Sequence, residues 1–200
     1  HLFVNSVGGI GVMNVEHCIP EIVEAVKAQC DKFFHVNYNV VLYAQYALLA
    51  EKLNALVPGN FEKKTLLVNT GAEANENAIK LARRFTGRSE IIAFTGAFHG
   101  RTYMTMALTS KVKPYKFNFG PLPSGVHRAE FPYVYRRPEG IKEEDAIKYY
   151  LQRLDDMFLE EVAPDQVAAI ILEPILGEGG FVVPPDAYIA ELRKICDKHG

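Results

Sequence analysis

Three short stretches hold the residues whose types and spacing could do chemistry. In Asn69-Thr70-Gly71-Ala72-Glu73-Ala74-Asn75, Gly71 lets a ligand approach the backbone and Thr70 can cap a helix. The free N–H groups of a first helical turn, aided by the helix dipole, favour an anion such as phosphate. The same letters also suit a tight strand-to-helix turn that holds nothing. Neither GxxxxGK[ST] nor GxGxxG occurs, which disfavours a mononucleotide or dinucleotide ligand.

The second stretch is Thr95-Gly96-Ala97-Phe98-His99-Gly100-Arg101-Thr102. Phe98 can stack on a planar cofactor, and Arg101 can hold a carboxylate through two parallel hydrogen bonds. The competing reading makes Phe98 a core ring, His99 a satisfied loop histidine and Arg101 a surface charge. The third is Leu172-Glu173-Pro174-Ile175-Leu176-Gly177-Glu178-Gly179-Gly180. Glu173 ends an apolar run, where a charge is costly unless paired or functional, and Glu178 sits in a glycine frame. Two acids opposed across a sugar would suit glycosidase chemistry, but no aromatic platform for a carbohydrate accompanies them. His1, His17, His35, His99, His127 and His199 form no short metal-ligand spacing, so no metal is expected.

Regular elements must position these groups. Pro20 opens a helical pattern through about Lys32, and Leu42, Tyr46, Leu49, Leu53 and Leu56 mark a second helix closed by Pro58-Gly59. Thr65 to Asn69 reads as a buried strand. It is followed by a helix with Ala78, Leu81, Ala82 and Phe85 on its apolar face and Gly87 at its end, then by a strand over Glu90 to Phe94. Strand, helix and strand within about thirty residues have the dimensions of a parallel βαβ unit. Lys111 to Pro138 shows no periodicity, a feature of functional or interface segments. A helix over Glu143 to Glu161, a fully buried strand over Val167 to Leu172 and a helix from Asp186 toward Lys198 complete an α/β pattern. Residues 1–60 are expected to lead into a large domain begun by residues 61–200.

With 22 Lys+Arg against 24 Asp+Glu, the 200 residues carry a net charge of −2, so nothing draws the chain generally toward nucleic acid or an anionic membrane. No apolar run approaches a membrane span. Cys18, Cys30 and Cys196 form no disulfide framework, and a reducing, cytoplasmic setting is expected. A chain opening on His1 and closing on Lys198-His199-Gly200 is expected to be a piece of a longer polypeptide.

The three stretches together resemble the class III, or ω-amino acid, aminotransferases. The resemblance extends through Gly9-Ile10-Gly11-Val12-Met13-Asn14, Ala50 to Asn54, Asn69 to Ala82, Phe98 to Ala107, Pro114-Tyr115-Lys116, Phe119-Gly120-Pro121 and Glu173 to Gly180. Ornithine and acetylornithine aminotransferases share the Phe98-His99-Gly100-Arg101-Thr102 letters, and the Tyr103 to Lys116 stretch favours the branch acting on 4-aminobutyrate. Cys18-Ile19-Pro20 departs from relatives that carry a second histidine before the proline, outside the expected chemistry.

The resemblance implies fold type I, a pyridoxal 5′-phosphate cofactor and a homodimer. It further implies transfer of the amino group of 4-aminobutyrate or a similar ω-amino acid to 2-oxoglutarate, giving succinic semialdehyde and glutamate. An ornithine-type aminotransferase or a pyridoxal-phosphate racemase is the alternative. Gly71 and Ala72 would offer N–H groups to the cofactor phosphate, Phe98 would stack on its ring, and His99 and Glu173 would line its site. Ile10 and Arg101 would contact the substrate. Glu178 would pair with a distant arginine when an ω-amino acid binds and release it for an α-carboxylate. That arginine, an aspartate for the pyridine nitrogen and the Schiff-base lysine are implied beyond residue 200, so the segment by itself is expected to be inactive.

Overall fold

The computed structural model describes residues 12–200, and the chain divides into two compact units between Leu67 and Val68. In the first unit, α1 spans Pro20–Cys30 and α2 spans Ala44–Leu56. Pro20 stands in the first turn of α1, where its missing N–H costs nothing. The Tyr38 and Tyr46 rings stack at 4.0 Å, and Tyr43 meets both edge-on. Neither helix fully buries a residue; Leu42 and Leu56 of the expected apolar stripe are 75% and 69% exposed, because no described element covers that face.

The strand expected over Thr65 to Asn69 does not form. The Leu67 N–H donates to the Tyr46 hydroxyl (2.9 Å), and the Thr65 hydroxyl donates to the Asn54 side-chain oxygen (2.7 Å). Side chains thus take the place of a ladder, and the segment pairs with no strand among the described residues. Among the described residues, the parallel pairings begin with the next strand.

The second unit runs α3 (Gly71–Thr86), β1 (Glu90–Phe94), α4 (Tyr103–Leu108), β2 (Val126–Ala129), α5 (Ala146–Glu160), β3 (Val167–Ile170) and α6 (Asp186–His199). The strands form a parallel sheet in the order β2-β1-β3, with Phe94 opposite Ala129 and Ile92 opposite Ile170. Ile91 to Phe94 are fully buried and alternate between two cores. Ile92 and Phe94 face Tyr150, Leu154, Tyr188 and Leu192 of α5 and α6, while Ile91 and Ala93 face Ile79 of α3 and Met104 and Leu108 of α4. The period of two in β1 thus builds an α/β/α sandwich.

Three expectations change here. Leu81 and Phe85 are exposed, at 70% and 88%, and Ile79 is the residue α3 buries, because the sheet lies under a different side of that helix. The strand from Val167 is shorter and only half-buried after its first residue, since β3 is an edge strand. The segment Lys111 to Pro138 contains β2, a 3-10 turn over Val134–Arg136 and the buried Tyr115 and Phe131. Strand β2 was hidden by His127 and Arg128. The Arg128 guanidinium donates to the carbonyls of Phe94, Ala107, Leu108 and Thr109 at 2.7–3.3 Å, so the strand carries a cation that caps the end of α4. No helix of the described residues is long and apolar enough to cross a membrane.

Candidate active site

In an open parallel sheet, the loops leaving the carboxyl ends of the strands form the crevice where ligands sit. The loop over 95–102 leaves β1, and the turn over 173–180 follows β3. Both loops are tied together and to neighbouring helical structure by backbone approach and side-chain hydrogen bonds.

At the start of α3, the Thr70 hydroxyl accepts from the Glu73 N–H (3.0 Å), and the Glu73 carboxylate accepts from the Asn69 N–H (2.7 Å). These bonds hold the first turn but leave the N–H groups of Gly71 and Ala72 without an acceptor among the described residues. A Cβ on Gly71 would meet nothing within 4 Å, so the turn opens onto space. Donors, room and helix dipole together fit a phosphate.

Gly100 brings the second stretch against this turn. Its φ is +129°, and a Cβ there would lie 2.7 Å from both the Ala72 Cβ and the Thr105 hydroxyl oxygen. Asn75 donates to the His99 carbonyl (2.8 Å), Thr102 donates to Glu76 (2.5 Å), and the His99 N–H donates to the Thr109 hydroxyl (3.0 Å). His99 is 6% exposed, and its Nε2 has no partner among the described residues. Burial, with Arg128 nearby, pulls its pKa down to about 4, so the ring is neutral at pH 7.

Glu173 links the second and third stretches. One carboxylate oxygen accepts from the Phe98 N–H (3.3 Å) and the other from the Gly177 N–H (3.1 Å). The turn beyond it is pinned by paired backbone bonds between Leu176 and Val182 (2.9 and 3.2 Å) and packs Leu176 beneath Gly96. Glu178 stands at its exposed tip. Its carboxylate accepts from Lys111 Nζ (3.1 Å), and its carbonyl accepts from the same ammonium (3.0 Å). The neighbouring Tyr115 hydroxyl and the Lys111 ammonium hold the pKa of the Glu178 carboxyl below its ordinary value.

Tyr115 joins the remaining groups. Its ring centroid is 4.8 Å from that of Phe98, and the Arg101 guanidinium carbon lies 4.9 Å from the same ring. The structure therefore assembles Phe98, Arg101, Glu173 and Glu178 around Tyr115 and Lys111, with Gly71, Ala72 and His99 tied in through Gly100 and Asn75. Ile10 lies outside the described residues. Sequence reasoning did not single out Tyr115, Lys111, Asn75 or Thr109 for a site role. The only available signal was that Tyr115 belongs to the Pro114-Tyr115-Lys116 motif, since no spacing links it to Arg101 or Glu178. A separate cavity of about 240 Å³ lies along the free edge of β3, lined by Val167, Ile170, Phe158, Cys196 and His199; none of the clustered charged groups reaches it.

A family model described as aminotransferase class-III matches residues 2–200. A probable 4-aminobutyrate aminotransferase of Bacillus subtilis (strain 168) is 46% identical over 198 residues, which cover 99% of this chain and 45% of that protein. A 5-aminovalerate aminotransferase of Pseudomonas putida is 48% identical over 197 residues, covering 98% and 45%. Among solved structures, an amine transaminase from an uncultivated Pseudomonas species in its PLP-bound form superimposes with a TM-score of 0.90 at 26% identity, covering 98% of this chain and 46% of that one. The chain thus spans less than half the length of these relatives.

Proposed function

This chain belongs to the class III aminotransferases, and on that premise we propose that it is part of an enzyme that moves the amino group of an ω-amino acid to 2-oxoglutarate. The observation that carries this reading is the convergence of three separate stretches: the start of α3, the loop after β1 and the turn after β3. They bring a phosphate-sized set of free N–H groups, an aromatic ring and two opposite charges into one connected frame. Residues 61–200 would be the beginning of a cofactor-binding large domain.

Pyridoxal phosphate, when bound, supplies the electron sink that makes amine chemistry possible. Gly71 and Ala72 would donate their N–H groups to its phosphate, and Gly100 keeps the next loop close by having no Cβ. Phe98, its backbone N–H held by Glu173, would stack its ring on the cofactor. Neutral His99 is buried beneath this loop, its backbone N–H bonded to the Thr109 hydroxyl, and holds the loop in place. Arg101 takes the carboxylate remote from the reacting amine of an ω-amino donor, steadied by the Tyr115 ring. Glu178 covers an arginine beyond residue 200 for that donor and releases it when an α-carboxylate arrives.

The donor is 4-aminobutyrate or its one-methylene homologue 5-aminovalerate; relatives bearing each name lie at 46% and 48% identity. One methylene alters recognition by only about 10- to 200-fold, and a few pocket contacts set such a difference. The test mixes the full-length protein with pyridoxal phosphate, each donor in turn and 2-oxoglutarate, and follows glutamate and the semialdehyde product. Absence of turnover with every ω-amino donor overturns the reading.

A further inference from the structure

Among the described residues, Lys111 is the one ammonium bonded to Glu178, and the bond is double: the carboxylate at 3.1 Å and the main-chain carbonyl at 3.0 Å. An ordinary surface pair fixes only two flexible tips and is worth little. Here the ammonium also fixes the backbone of the turn that presents the acid. The Tyr115 ring beside this turn supports Arg101, whose guanidinium carbon lies 4.9 Å from the ring centroid. Glu178 therefore has a defined local resting place on the Lys111 ammonium.

We propose that Lys111 is a positioning residue that receives the Glu178 carboxylate when an α-carboxylate displaces it, and so favours dicarboxylate ligands over monocarboxylates carrying only the remote carboxylate. The inference rests on the specificity reading of Glu178 above and adds the place to which that acid goes. When an ω-amino donor is bound, Glu178 covers the arginine and Lys111 stands free. When a dicarboxylate is bound, the arginine is taken, and Glu178 would be left as an uncompensated anion beside a second anion. The Lys111 ammonium removes that cost, so its loss weakens the dicarboxylate complex and leaves the monocarboxylate complex nearly unchanged.

The test is calorimetric binding of two unreactive ligands, glutarate and butyrate, to the cofactor-loaded full-length enzyme. Lys111→Met is expected to weaken glutarate about threefold to fivefold, as fits a partly exposed ion pair, with butyrate within about twofold. Lys111→Arg restores glutarate binding. Glu178→Ala shifts the preference the opposite way, toward glutarate, and in that background Lys111→Met no longer has an effect. A general loss of positive field would instead persist in the double variant, and that result overturns the inference. If Glu178→Ala moves the preference but Lys111→Met does not, the specificity reading stands and the role of Lys111 falls. If Glu178→Ala leaves the preference unmoved, both fall together.

Discussion

Arg101 and Glu178 carry opposite charges on one small frame, and each predicts a different failure. Arg101→Lys keeps the charge but loses the planar fork and the face that lies over Tyr115. We expect about a tenfold loss of kcat/KM for ω-amino donors, read by stopped-flow of that half-reaction. Glu178→Ala should impair the same donors while sparing the glutamate half-reaction, since removing a cover cannot harm a substrate that displaces it. Equal losses in both half-reactions would make Glu178 a general folding or cofactor-site residue. His99 predicts a pH dependence. Its folded pKa of about 4 lies below the ordinary value of 6.5, so the unfolded chain binds the extra proton between these values. Its stabilising contribution is complete above pH 6.5 and is lost as pH falls toward 4. Urea midpoints across that window should decline more steeply in the native protein than in His99→Gln, and parallel curves would remove His99 as the cause.

At the scale of elements, the close approach between the 95–102 loop and α3 depends on one missing side chain. Gly100→Ala places a Cβ 2.7 Å from that of Ala72 in a backbone conformation, φ +129°, that suits glycine. We expect about 2 kcal/mol of lost stability and weaker pyridoxal-phosphate binding, measured by a denaturant midpoint and by cofactor titration. Gly71→Ala is the control, because its Cβ meets open space; an equal fall in stability for both variants would contradict the close-packing argument. Element boundaries were largely legible where one residue decides them. Gly87, at φ +71°, ends α3 as its position in the sequence suggested. Thr65 to Asn69 misled because its apolar letters suit a strand, whereas a strand also needs a partner, and the Leu67 N–H goes to Tyr46 instead. Strand β2 was missed for the converse reason: His127 finds Glu90 at 2.9 Å and Arg128 finds four carbonyls, so polar side chains are accommodated within a ladder.

At the scale of the whole molecule, both units leave large apolar side chains exposed. Phe34 and Val40 of the first unit are 88% and 78% exposed, as is Phe85 of the second at 88%, and large exposed apolar side chains suit an interface. We expect the full-length enzyme to sediment as a homodimer at micromolar concentration, with an obligate interface above about 2,000 Å²; a clean monomer would count against it. Residues 1–200 expressed alone should show no transaminase activity, because the lysine that carries the cofactor is implied beyond them. Robust turnover by that fragment would refute this.

Some features were decided locally and could be read from the letters: the helix start at Gly71, the buried strand Ile91 to Phe94, the glycine stop at 87, and the three motifs whose order resembles one family. Capping residues, glycine stops and short apolar runs act over a few residues, so sequence alone determines them. Tertiary structure decided which groups meet. Tyr115 lies 14 positions from Arg101 and 63 from Glu178 in the chain, and Lys111 reaches Glu178 across 67. Only parallel pairing of β1 with β3 brings the loops at their carboxyl ends together, because contacts at such separations depend on the register of the sheet and leave no periodic trace in the residues between them.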